Sequence, residues 1–187
     1  QGIGRGVDQW QVSRFICSQA IMLALQGIPA VYIHSLLATP NDLHGVELSG
    51  RTRSINRKKW NLPELEMLLE NETTPNHEVY NALNELLKIR RHEPCFNPSN
   101  PQRAIDGGYA LFMLLRSDIN SERRLLAIHN TTLAPQTVHI NNDPELAKST
   151  GWYDLISSSE LQASLSELVL QPYQFIWLVA DQPGITT

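Results

Sequence analysis

The run Ala30-Val-Tyr-Ile-His34 limits how this chain can fold more than any other stretch. It is short, β-branched and aromatic without polar alternation, the pattern of a strand buried on both faces of a parallel sheet. Helical patterns flank it, and no neighbouring strand is available for it to pair with. A lone buried strand leaves its backbone N–H and C=O groups unsatisfied. The expectation is that further strands precede it, and that a chain opening on Gln1 close to a helix is a piece of something longer.

On the N-terminal side, Asp8 is placed as the cap of a helix running to about Gln26, with Gly27 stopping it and Pro29 just beyond. Phe15, Ile16, Ala20, Met22, Leu23 and Ala24 make its second half apolar around much of its circumference, so more than one side must be covered. After the strand, Ser35 to about Thr74 reads as an irregular connection holding one helical piece, Pro63 to Glu70. Connections longer than about 15 residues usually carry function. Thr74 and Pro75 then open a second long helix as cap and first residue. Val79, Tyr80, Leu83, Leu86 and Leu87 form one apolar stripe, and Arg90, Arg91 and His92 set positive charge at its C-terminal end.

Pro94 to Pro101 (PCFNPSNP) has linker composition. Beyond it come short apolar runs, Tyr109–Leu115, Leu125–Ile128, Thr137–Ile140, Trp152–Ile156, Leu168–Leu170 and Phe175–Val179, separated by turn-rich segments. They predict an antiparallel β-sandwich of six to eight strands. The chain is therefore divided into residues 1–98, α/β in character, and residues 99–187, all-β.

Arg51-Thr-Arg-Ser-Ile-Asn-Arg-Lys-Lys-Trp60 places five cations in ten positions of a chain whose net charge is −4. No wider basic field supports it, which argues against a nucleic-acid partner. The most apolar run, Ala20 to Leu25, is far shorter than the roughly 20 residues of a membrane span. Cys17 and Cys95 read as free thiols of a cytoplasmic protein. His34 and His44 lack a third ligand at a telling spacing, so no metal or other cofactor is expected. A strand, a long loop at its C-terminal end and a helix make a βα unit of a barrel, where ligands meet the loops. Arg53 and Arg57, four apart, share a side if that stretch is helical, and guanidinium groups can grip hydroxyls, carboxylates or phosphates. On the residues alone, a solvated charged surface and a binding rim both stay open. Trp10 and Trp60 read as packing, Trp152 and Trp177 as the core of the β-module.

The ordered set of segments resembles one family. Gln26-Gly-Ile-Pro-Ala-Val-Tyr-Ile-His34 is similar to the entry into the eighth barrel strand of the α-amylase superfamily. Asn41-Asp42 followed by Gly50-Arg-Thr-Arg-Ser-Ile-Asn-Arg57 resembles the sucrose phosphorylase branch, with its glucosylglycerate and sucrose-phosphate phosphorylases. Leu87 to Pro94 is similar to the last barrel helix, and Leu126–Asn130 and Leu170–Leu178 to strands of the C-terminal β-domain.

The resemblance implies the last βα unit of a (β/α)8 TIM barrel followed by a C-terminal antiparallel β-sandwich domain. It implies a retaining glucosyl transfer through an aspartate nucleophile and a glutamate acid–base, with phosphate as the acceptor. The family's catalytic carboxylates lie on earlier strands and their motifs do not occur here, so the fragment alone is expected to be inactive. What carries over is a wall of the sugar site: Arg53 on glucose hydroxyls, Arg57 and Asn56 completing the motif, and Asn41 and Asp42 near the acceptor. His34 joins them at the strand's end. A hydrolase of the same superfamily and a non-catalytic carbohydrate-binding module are the competing readings. The implied partners are a small glucoside and phosphate.

Overall fold

The computed structural model describes residues 8–138, 143, 146, 151–161 and 165–180. By packing, the chain forms two compact units, Gln1–Pro29 with Leu86–Thr187, and Ala30–Glu85. The division falls inside a long helix.

In the first unit, α1 (Gln11–Ala24) starts later than the sequence suggests. Asp8 does not cap it; its carboxylate accepts the Trp10 N–H at 2.9 Å and pairs with Arg14 at 3.2 Å. Ile16, Cys17, Ala20, Leu23 and Ala24 are buried, as an apolar half-helix requires. Eight strands follow among the described residues: β1 (Gln102–Gly107), β2 (Leu111–Ser117), β3 (Arg124–Asn130), β4 (Gln136–Thr137), β5 (Tyr153–Asp154), β6 (Ser159–Glu160), β7 (Val169–Leu170) and β8 (Phe175–Ala180). They form an antiparallel six-stranded sheet ordered β1-β2-β3-β8-β5-β6 and a two-stranded sheet β4-β7.

The large sheet is covered on both faces. Met113, Leu115, Leu126, Ile128, Ile176 and Leu178 alternate onto one side and pack with Val138, Trp152 and Leu170. On the other side Cys17 of α1 reaches the Asn130 carbonyl, and Phe96 packs edge-on against Trp177 with centroids 4.7 Å apart. This two-layer β-module matches the expectation for residues beyond 99. Tyr109, expected in a strand, instead sits in the β1–β2 turn, fully exposed beside Gly108, whose φ of +73° the turn requires. The expected run Thr137–Ile140 extends beyond the described residues.

The second unit corrects two expectations. Ala30 to Tyr32 forms no regular element and joins no sheet among the described residues, and Ile33–Leu36 closes a single helical turn, α2. Ile28 just before it is 86% exposed, and Tyr32 and Ile33 are also exposed, where two-sided burial was expected. The physical reason is lack of lateral partners: no described residue bonds to the N–H groups of Ala30 or Val31. The connection from Ser35 to Thr74 is not irregular. It holds α2, α3 (Leu43–Ser49), a 3₁₀ turn (Thr52–Asn56) and α4 (Leu62–Glu70). Then α5 (Pro75–His92) begins as expected, with the Thr74 hydroxyl accepting the His77 N–H at 3.2 Å. Val79, Leu83 and Leu86 are its buried stripe.

Candidate functional site

The basic segment is built as a bracketed turn. Asn41 and Asp42 enter α3, where the Asp42 carboxylate accepts the Gly45 N–H at 2.8 Å as the helix cap. Gly50, at φ +64°, ends α3 in the left-handed conformation that glycine adopts without penalty. The chain then turns through Thr52–Asn56. Backbone and side chain fasten this turn to what precedes it: the Asp42 N–H donates to the Ile55 carbonyl at 2.7 Å, and the Tyr32 hydroxyl donates to the Asn56 carbonyl at 2.9 Å.

Arg51, Arg53, Arg57 and Lys59 project from the turn into solvent, and none of their cationic groups has a partner among the described residues. Lys58 differs from them. Its ammonium lies 3.6 Å from the centroid of the Trp60 ring and 3.3 Å from Glu64. Unpaired guanidinium groups on an ordered turn are free to meet a polar or anionic ligand.

Each predicted residue can now be placed. Arg53, Asn56 and Arg57 share the turn, and all are exposed. Asn41 is exposed at the start of α3, while the side chain of Asp42 is already engaged as a cap. His34, half-buried in α2, has its Nδ1 3.0 Å from the Thr39 hydroxyl. Thr39 in turn accepts the Trp60 indole N–H at 2.9 Å. Sequence reasoning passed over Tyr32 and Thr39 and read Trp60 only as packing; a tyrosine hydroxyl and an indole N–H needing acceptors were the available signal. A cavity of about 660 Å³ lies elsewhere, between Ile28, Leu87, Arg91, Phe96 and Pro98, and contains none of the predicted residues. The exposed turn is the better candidate because it carries the unpaired charge.

Neither thiol is reactive by environment. Both are free, and burial pushes Cys17 up to about 11 and Cys95 up to about 12. Among the described residues no group of His, Cys, Asp and Glu is arranged to hold a metal ion. No described helix is long and apolar enough to cross a membrane.

No protein-family model matches the chain. It is 33% identical over 171 residues to the glucosylglycerate phosphorylase of Escherichia coli (strain K12), covering 91% of this chain and 29% of that protein. The chain is thus similar in sequence to glucosylglycerate phosphorylases over about nine tenths of its own length. It is also 29% identical over 126 residues to the sucrose phosphorylase of Agrobacterium vitis, covering 67% of this chain and 23% of that enzyme. The α-amylase of Geobacillus thermoleovorans, crystallised with acarbose, superposes with a TM-score of 0.67 at 15% identity, over 92% of this chain and 34% of that one. That likeness shows the shared fold. The chain thus spans less than a third of the length of the curated phosphorylases it matches.

Proposed function

We propose that residues 1–98 are the end of the catalytic barrel, and residues 99–187 the C-terminal β-domain, of a retaining α-glucoside phosphorylase. The intact enzyme transfers a glucosyl group from sucrose or a related glucoside, such as a glucosylglycerate, to phosphate. The observation that carries this reading is the ordered turn Thr52–Asn56, which presents Arg53 and Arg57 unpaired beside Asn56. Arg53 grips donor hydroxyls; Arg57, Asn56 and Asn41 complete that wall, and Asp42 and His34 hold its frame. The carboxylates that break and re-form the glycosidic bond come from elsewhere in the intact enzyme. These residues by themselves bind and orient. Free thiols and a phosphate acceptor fit a cytoplasmic enzyme, and no nucleic acid or membrane takes part.

The test uses the full-length enzyme. Arg53→Ala should raise KM for the glucoside and lower kcat, a combined loss of about 2–4 kcal/mol of charged hydrogen bonding. Unchanged kinetics would remove Arg53 from the site. Glucoside cleavage that proceeds at full rate without phosphate would identify a hydrolase instead.

A further inference from the structure

Tyr32, His34, Thr39 and Trp60 form a closed set of contacts around the cationic turn. The Tyr32 hydroxyl holds the Asn56 carbonyl at 2.9 Å, and its ring meets the His34 ring edge-on, with centroids 5.2 Å apart. His34 Nδ1 lies 3.0 Å from the Thr39 hydroxyl, and the Trp60 indole N–H donates to the same oxygen at 2.9 Å. An indole N–H can only donate, so Thr39 accepts there, and with its own hydrogen and a second lone pair the hydroxyl can meet either tautomer of His34. One hydroxyl therefore joins α2 to the far end of the turn. The contacts at Asn56 and Trp60 bracket Arg57, Lys58 and Lys59, and the Ile55 carbonyl is held by the Asp42 N–H at 2.7 Å. Trp60 also supplies the surface on which Lys58 rests.

We infer that Thr39 is a positioning residue for sugar recognition, with His34 and Trp60 acting through it to fix the turn that bears Arg53 and Arg57. This rests on the function proposed above and reassigns His34: its ring nitrogen is used inside the protein, in orienting the rim. Long guanidinium side chains on an exposed turn of five residues would otherwise sample many positions. A hydroxyl that ties the segment following the turn back to α2 lowers the ordering cost that substrate binding must meet. A displacement of about 1 Å in a binding group is enough to cost orders of magnitude in rate.

The experiment is a set of variants in the full-length enzyme, read by steady-state kinetics. Thr39→Val keeps the shape and removes the hydroxyl; it should raise KM for the glucoside about tenfold. Thr39→Ser should bring KM back to within about twofold, since it restores the hydroxyl. In an Arg53→Ala background, Thr39→Val should have almost no further effect, because the group it positions is gone. A purely structural role would reduce the folded fraction, and so kcat, with KM unchanged and effects that add. Should Thr39→Val not fold, Trp60→Phe removes the indole donor while keeping an aromatic surface for Lys58, and the same KM rise is expected. Unchanged KM in the folded variant, or additivity with Arg53→Ala, overturns the inference while leaving the proposed function standing. A silent Arg53→Ala variant removes Arg53 from the site and overturns the inference with it; only phosphate-independent cleavage overturns the proposed reaction.

Discussion

Arg90 and Arg116 both donate to the carbonyls at the end of α1. Arg90 bonds the Leu23 carbonyl and, at 2.7 Å, that of Gly27; Arg116 bonds the Ala24 carbonyl at 3.1 Å. These are the groups a helix cannot satisfy by itself, and positive charge suits its negative end. Both guanidinium groups stack toward Phe96, at 5.1 and 5.9 Å from its centroid. Burial lowers both, Arg90 to about 10, with repulsion from Arg116 adding to the shift. Arg116 is wholly buried and also serves the carbonyls of Asn97 and Asn100. Arg116→Met should therefore cost about 3 kcal/mol, since it strands several buried acceptors. Urea unfolding measures it; an unshifted midpoint would show that the carbonyls find other donors.

His129 makes stability depend on pH. It is 0% exposed beneath α1, with Nδ1 3.1 Å from the Phe112 carbonyl and its ring stacked on Phe175 at 6.0 Å. Burial pushes it down to about 4, against the pull of the Phe112 and Ala20 carbonyls. Because the folded value lies below the unfolded one, the unfolded chain binds the extra proton first. Stability is then complete above about pH 6.5 and declines as pH falls toward 4, by about 3 kcal/mol in all. His129→Phe should flatten the dependence between pH 7 and pH 4.5, and an equally steep decline in that variant would place its origin elsewhere.

Much of this fold is legible in the sequence where local rules and burial agree. Thr74, Pro75 and the Val79–Leu83–Leu86 stripe specify α5 without help, and β2, β3 and β8 announce themselves as continuous apolar runs buried on both faces. β1 is missed because it is a polar edge strand in which only Ile105 is buried. α2 and α3 are too short to show an apolar stripe. Ala30–His34 misleads for a different reason: its composition asks for neighbouring strands, and pairing is a property of the neighbours. At the site, the cations are visible as a motif. Thr39 is not, because its importance comes from two partners brought together by folding.

Glu93 is a buried carboxylate that holds elements together. Its carboxylate accepts the Cys95 N–H at 3.1 Å and pairs with Arg123 at 3.0 Å, joining the end of α5 to the start of β3. Glu93→Gln keeps the shape but leaves the Arg123 guanidinium facing a neutral amide. Breaking such a pair from one side costs about 3 kcal/mol. The denaturant midpoint of Glu93→Gln should fall accordingly, whereas Glu64→Gln, which alters the exposed contact with Lys58, should change stability by less than about 1 kcal/mol. Equal effects would contradict the burial argument.

Gly45 tests whether the Asp42 carboxylate is a cap or is free for a ligand. An alanine Cβ at position 45 would lie 2.7 Å from the Asp42 carboxyl carbon, so the two cannot coexist without a shift. Alanine gains about 1 kcal/mol over glycine inside a helix, and losing an aspartate cap costs about the same. In the native background Gly45→Ala should therefore bring no gain. In an Asp42→Ala background the collision is absent and the same change should protect α3 by about 1 kcal/mol. Hydrogen exchange of the α3 amides reads this directly, without relying on global unfolding. If Gly45→Ala protects α3 equally in both backgrounds, the carboxylate is not held as a cap, and Asp42 becomes available to contact an acceptor.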